Sequence, residues 1–168
     1  MSDHITLLRH TVATLAYRLE KVVREVPDGF DGFAIGAGVR TPLAILAHIG
    51  DLLEWAAQLA EGKDRWTPGD WLPWEQERER VFAALARLDK RLAAGPPGRP
   101  AEQIFQGPIA DALTHVGQLA MIRRVAGQPV RGESYARAEI VVGRVGPEQS
   151  ARRAEFDGDS SRREDVVQ

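Results

Sequence analysis

Two residues with metal-binding side chains stand four positions apart in segment 108–127: Asp111 and His115. The segment has the pattern of one long helix, and residues four apart lie one above the other on a helical face. Two side chains of one helix can hold a single metal ion at this spacing. A site of this kind in a helical bundle needs a further ligand from a facing helix. His48 is the best candidate elsewhere in the chain.

Two of these residues also have interpretations that need no metal. His48 lies on the flank of an apolar helical face, where a lone histidine is more often a hydrogen-bonded core residue than a ligand. We expect Asp111 at the edge of an apolar arc, half-buried, where an isolated carboxylate would be very costly. A metal would balance that charge. So would Arg123, Arg124 or a hydrogen bond within the helix.

Four segments have the periodicity of amphipathic helices, which predicts an all-α fold. The first carries apolar residues at alternating spacings of three and four, with His4 and His10 expected on the solvated surface. The second opens at Thr41 and Pro42, an N-cap followed by proline at the first helical position. The predicted helices run from Ser2 or Asp3 to Pro27, from Thr41 to about Ala60, from Trp74 to about Leu92, and from about Pro108 to Val125, with Gly127 as the final cap.

The connections between these helices carry aromatic and charged residues. Segment 28–40 is glycine-rich, but no strand precedes it, so we interpret it as a long loop rather than a phosphate-binding turn. Segment 61–73 holds Trp66 and Trp71, which could line the mouth of a pocket or cap one end of the core. The charge run 75–80 is interpreted as a solvated helix face.

The chain beyond the fourth helix divides into two parts. Segment 134–145 is expected to form a short helix or extended strip that packs back over the bundle. From Gly146 the composition turns polar, which is typical of a loose tail. We therefore predict a domain over residues 1–145 and a polar tail over residues 146–168.

Composition excludes several classes of function. The net charge is −2, so no basic surplus favours nucleic acid. The chain has no cysteine, which removes disulfides, thiolate nucleophiles and Cys-ligated zinc, and a cytoplasmic location is compatible with this. The N-terminal residues lack the apolar core of a signal peptide. No window approaches the roughly 18 apolar residues of a membrane span.

The chain resembles the DinB-like superfamily over roughly residues 1–145. The most specific features are His48 with Trp55 in TPLAILAHIGDLLEW and the H-x-G-Q-L run at His115 in DALTHVGQLAMIRRVAG. The resemblance implies a four-helix bundle in up-up-down-down order, with a long connection after the second helix. It also implies a metal triad of one histidine from the second helix and an H-x3-H pair from the fourth, which here becomes His48, Asp111 and His115.

Asp111 departs from the histidine that is commonest at that position of the family. Two histidines and one carboxylate still suit zinc, with nickel next and manganese or iron as further options. Gln118, Thr114 and Trp55 are candidates for supporting the ligands or shaping the pocket.

The resemblance implies a metal-dependent enzyme that activates water or a low-molecular-weight thiol, as a hydrolase or a thiol S-transferase, on a small-molecule substrate. No separate catalytic base stands out in the sequence. The alternative is a non-catalytic stress or interaction protein whose metal site is structural or vestigial. Bundles of this type commonly pair, so a homodimer is expected, without a nucleic acid or a membrane as partner.

Overall fold

The computed structural model describes residues 3–151 and 155–156 of the chain. The described part is mostly helical, which confirms the all-α prediction. Five α-helical segments, α1 to α5 in chain order, are Asp3–Val23, Pro42–Ala60, Trp74–Ala93, Ala101–Ile104 and Ala110–Val125. A π-helical turn, Phe105–Ile109, joins α4 to α5, so that residues 101–125 form one continuous rod. Two short strands, β1 (Gly132–Glu133) and β2 (Glu155–Phe156), pair antiparallel.

Helix α1 buries the predicted apolar stripe but ends at Val23, before Pro27. The last turn breaks because Glu25 takes a left-handed conformation with φ +48°. The residue directly before proline, here Val26, is also disfavoured in the helical region. The guanidinium of Arg123 donates to the carbonyl oxygens of Arg24 and Glu25, so a side chain from α5 caps this end.

Helices α2 and α3 run in the same direction. Arg80 of α3 donates to the carbonyl oxygen of Ala47, and Arg87 further along α3 donates to Glu54 further along α2. Parallel neighbours cannot be joined by a tight turn, which explains the long connection 61–73.

Helix α1 and the final rod also run in the same direction. His4 at the start of α1 lies 3.8 Å from Glu102 at the start of the rod. The carbonyl oxygen of Val22 at the end of α1 accepts from Arg123 near the end of the rod. The two helices therefore lie side by side along their whole length.

Helices α2 and α5 run in opposite directions. His48 in the first half of α2 contacts His115, whereas the Trp55 ring one turn from its end lies against Gly107, before α5 begins. The order of the four rods is therefore up-down-down-up. This corrects the up-up-down-down order that we expected from the resemblance.

The core lies between the rods and includes Phe30, which packs edge-on against Trp74. Among the described residues, α2 alone is long and apolar enough to cross a membrane by length and composition. Of its apolar stretch, 72% is buried inside the protein. A core helix of a helical bundle has the same properties.

The charge run at the start of α3 is not uniformly solvated, which corrects part of the prediction. Glu77 is fully buried and Arg80 is half-buried. These two residues, three positions apart on α3, form an ion pair at 2.8 Å. Arg80 also donates to Asp51 of α2, and Glu77 accepts the backbone N–H of Leu72. These groups are buried because they bind one another and the loop before α3.

The segment after α5 packs back over the bundle, as predicted. It forms a short 3-10 turn, Tyr135–Arg137, and buries Val145. The buried carboxylate of Glu133 in β1 accepts hydrogen bonds from Tyr17 and Lys21 of α1. The segment is thus anchored by charge as well as by apolar contact.

The predicted polar tail is described only in part. Residues 152–154 and 157–168 lie outside the described residues. Glu155 belongs to β2, and its carboxylate lies 2.9 Å from the ammonium of Lys21. This part of the tail is therefore attached to α1 rather than loose.

Candidate metal centre

The final rod begins earlier than the sequence predicted. The chain is helical from Ala101, and the π-helical turn contains Pro108. Proline has no N–H to donate and its ring crowds the preceding turn, so a locally wider turn accommodates it. Asp111 and His115 follow directly, in the first two turns of α5. The π-helical turn thus shifts the helical register immediately before the two candidate ligands.

Helix α2 supplies the third candidate. The hydroxyl of Thr41 accepts the backbone N–H of Ala44, and Pro42 opens the helix, so the predicted cap is confirmed. Two turns on, the His48 side chain is 23% exposed, which matches the half-buried position expected for it.

The fold brings the three predicted ligands together. Nε2 of His48 lies 3.7 Å from Oδ2 of Asp111, and Nε2 of His115 lies 3.5 Å from Oδ1 of the same carboxylate. The two imidazole rings meet edge to face, with centroids 4.8 Å apart. One ligand atom from each residue falls within 4.8 Å of the other two. The two histidines therefore flank a single carboxylate.

Asp111 is more exposed than the sequence predicted. Its side chain is 48% exposed. The expectation of a half-buried carboxylate that needs a partner to offset the cost of burial was therefore wrong. Arg123, one of the partners considered for it, caps α1 instead. Asp111 is therefore exposed to solvent, with a histidine on either side.

Gln118 supports the buried ligand. Its Oε1 lies 2.9 Å from Nδ1 of His115. A carbonyl oxygen only accepts, so with Nδ1 protonated this contact is a hydrogen bond and Nε2 keeps its lone pair for a metal ion. Thr114, the other candidate on this helix, is exposed, and its hydroxyl donates to the carbonyl oxygen of Ala110.

The surroundings of His48 favour its neutral form. Burial lowers the pKa of His48 below its ordinary value, and the neighbouring His115 and Arg40 lower it further. Trp66 packs edge-on against the imidazole, at 5.8 Å between centroids. A neutral imidazole is the form that binds a metal ion.

The donor set fits a divalent transition metal. Ligand distances of about 2.0–2.2 Å in tetrahedral zinc sites place neighbouring donor atoms about 3.4 Å apart. The separations of 3.5 Å and 3.7 Å are close to this value. Bringing the most distant pair of donor atoms from the outer limit of 4.8 Å to about 3.4 Å requires one side chain to move inward by about 1.4 Å.

The connection between α2 and α3 covers the His48 side of the cluster. Trp66 and Trp71 line a cavity of about 380 Å³ together with His48, which favours the pocket-mouth interpretation of these tryptophans. Trp66 also packs edge-on against Trp55, whose indole N–H donates to Asp64. Trp55 therefore attaches this connection to α2 through contacts with Trp66 and Asp64.

A second cavity, of about 450 Å³, opens on the other side of the cluster. His115 and Gln118 form its polar part, and Ile35, Val39 and Met121 belong to its apolar wall. The two cavities share Val39 and Arg40 as lining residues, at the end of the loop before α2.

Sequence reasoning missed two charged residues at these cavities. Asp51 follows His48 by three positions and therefore shares its helical face. Arg40 stands directly before the cap Thr41 and lines both cavities. The spacing of Asp51 was a signal that could have been used, whereas the position of Arg40 depends on a loop without regular structure.

No family model, curated protein or solved structure matches the chain. The candidate site therefore depends on the convergence of His48, Asp111 and His115 and on the chemistry of these side chains.

Proposed function

We propose that the protein binds one divalent metal ion, zinc in the first place, and is a metal-dependent enzyme of the DinB-like type acting on a small molecule. One observation carries the proposal: donor atoms of His48, Asp111 and His115, from two antiparallel helices, converge within 4.8 Å. Nickel is the next candidate, followed by manganese and iron, since all accept imidazole and carboxylate ligands.

An open coordination position favours catalysis over a structural role. Three protein ligands leave a fourth position for water or substrate, whereas structural zinc sites are closed by four. Asp111 is exposed and cavities flank the two histidines, so small molecules have access. A bound zinc ion would supply a Lewis acid that lowers the pKa of bound water or a thiol.

The surrounding side chains have separate roles in this proposal. Gln118 fixes the tautomer and the orientation of His115. Trp66 packs edge-on against the ring of His48 and restricts its orientation. The chain contains no cysteine, so in a thiol transfer the thiol would belong to a cosubstrate. Hydrolysis and thiol transfer are the two reaction classes to be screened.

The proposal is tested by metal content. Tag-free protein is analysed by elemental mass spectrometry, as purified and after incubation with zinc or nickel, beside the variants His48→Ala and His115→Ala. We expect about one equivalent of metal in the wild type and none in either variant. His10→Ala is the matched control, because His10 is exposed on α1.

Circular dichroism of the same variants separates a catalytic site from a structural one. Retained helical signal without metal supports an open site on a self-sufficient fold. Loss of the fold in either variant would favour a structural metal. A wild type that takes up neither metal would overturn the enzyme proposal and leave a helical interaction module.

Two further expectations stay predictions. Sedimentation equilibrium tests the homodimer, and a gel shift with duplex DNA at physiological salt tests the expected lack of nucleic-acid binding. Both measurements need only the wild-type protein.

A further inference from the structure

We infer that the site accepts a monocarboxylate with an apolar body, whose carboxylate pairs with Arg40. The inference deepens the proposed function and rests on it, because it names the substrate class of the same site. It is carried by the position of Arg40, the charge around it and the apolar wall beside it.

Arg40 is placed to meet a ligand in either cavity. It lines the cavity that contains His48 and Trp71 as well as the cavity that contains His115 and Met121. Its guanidinium is exposed, and no hydrogen bond or ion pair engages it among the residues that the structure describes. Its five N–H donors are therefore available to a ligand.

The charge at the cavities is positive once a metal is bound. Asp51 lines one cavity and shares the single positive charge of Arg80 with Glu77, so these three groups keep one negative charge. A divalent ion offsets this charge and that of Asp111. Arg40 adds a further positive charge, so an anionic ligand is favoured over a neutral or cationic one.

The geometry favours a carboxylate over a phosphate. One guanidinium forms a bidentate pair with one carboxylate, and its fixed fork matches the two oxygens. Neither cavity has a second unpaired lysine or arginine among its lining residues. A phosphate dianion would leave part of its charge without a partner.

The apolar part of the ligand has a wall to contact. Ile35, Val39 and Met121 are 43%, 46% and 58% exposed, although they are large and apolar. All three line the cavity beside His115. A chain of several methylene groups would remove this surface from water while its carboxylate remained at Arg40.

Hexanoate and hexanol are the probes for the test. Their binding to the full-length protein is measured by ligand-observed NMR, with and without zinc, and with acetate as a short comparison. With zinc bound, we expect hexanoate to bind more tightly than hexanol and acetate. In Arg40→Gln the affinity for hexanoate should fall about tenfold while that for hexanol changes little.

Matched variants separate the contributions. Arg99→Gln removes an exposed arginine that lines neither cavity, and it should leave hexanoate affinity unchanged. Met121→Ser should reduce the gain in affinity from acetate to hexanoate. Equal hexanoate affinity in wild type and Arg40→Gln would overturn the inference, as would hexanol binding as tightly as hexanoate.

The two proposals fail in different measurements. A protein that takes up no zinc but loses hexanoate affinity in Arg40→Gln would refute the metal proposal and support the carboxylate site. Equal zinc binding by wild type and Arg40→Gln, together with equal hexanoate affinity in the two proteins, would support the metal proposal and refute the carboxylate site.

Discussion

At the scale of single residues, the contact between Gln118 and His115 sets the chemistry of one ligand. Replacing Gln118 with leucine removes the acceptor that holds the Nδ1 proton. Losing a partner of this kind typically weakens metal binding about tenfold to a hundredfold. We expect this loss in Gln118→Leu, measured by competition with a chromogenic chelator.

Gln118→Glu is the matched control, because it keeps an acceptor at the same place and should retain zinc affinity. Gln118 is exposed, so neither change should move the urea midpoint of the metal-free protein. Unchanged zinc affinity in Gln118→Leu would contradict this role.

His48 makes the stability of the metal-free protein depend on pH. Burial lowers the pKa of His48 in the folded state, so the unfolded chain binds more protons in the range between the two pKa values. The stabilising contribution is complete above the ordinary pKa of histidine and is lost as the pH falls through the lowered one. We expect the urea midpoint to decrease over this acidic range, with the pKa of His48 followed by NMR.

His48→Asn supplies the comparison for this pH effect. It removes the titrating group at a half-buried position and should flatten the decrease in the urea midpoint. A pKa of His48 above that of an unfolded histidine would refute the argument.

At the scale of elements, a buried charge network attaches the connection 61–73 to α2 and α3. Asp51 accepts the backbone N–H of Gly69, and Glu77 accepts that of Leu72. Arg80 binds both carboxylates. The tryptophans beside His48 belong to this connection, so the network also positions one wall of the metal centre.

Arg80→Met should therefore destabilise the protein strongly. It leaves Glu77, which is fully buried, and Asp51 without their cation. Breaking a buried ion pair from one side costs about 3–5 kcal/mol. Urea unfolding measures the change, and fluorescence of Trp66 and Trp71 should report a displaced loop.

The neighbouring Arg78 gives the control for Arg80. It pairs with the exposed Glu75 three residues earlier in the same helix. Its replacement by methionine should cost at most about 0.5 kcal/mol, as is usual for surface pairs. Similar losses in both variants would contradict a special role for the buried network.

At the scale of the whole molecule, a second buried charge cluster attaches the C-terminal segment to α1. The ammonium of Lys21 is 2% exposed and lies 2.9 Å from carboxylate oxygens of Glu133 and Glu155. Tyr17 donates to Glu133 from the same helix. The attachment of Glu133 and Glu155 to α1 thus depends on charges that are far apart in the chain.

We expect Lys21→Met to lower the free energy of unfolding by about 3 kcal/mol, since it leaves the buried carboxylate of Glu133 without its cation. The double variant Lys21→Met, Glu133→Gln should recover part of the loss. Arg18→Met is the control, because Arg18 is exposed and contacts only the ring of Tyr135 at 4.3 Å in this cluster. A double variant less stable than Lys21→Met would refute the argument.

The sequence by itself determined the helices and the identity of the candidate ligands. Apolar spacing predicted three of the four long helices within a few residues, because each must bury one continuous face. The cap at Thr41 and the i, i+4 spacing of Asp111 and His115 are local in the chain, so they could be identified without the fold. The half-buried position of His48 followed from the apolar pattern of its helix.

Only the tertiary structure decided the properties that depend on distant partners. Glu77 looked solvated because its partners, Arg80 and the Leu72 amide, balance its charge only after the loop folds over α3. The exposure of Asp111 depends on how α2 packs against α5, and the up-down-down-up order depends on which rods lie side by side. Such contacts join residues far apart in the chain, so no local pattern of residue types contains them.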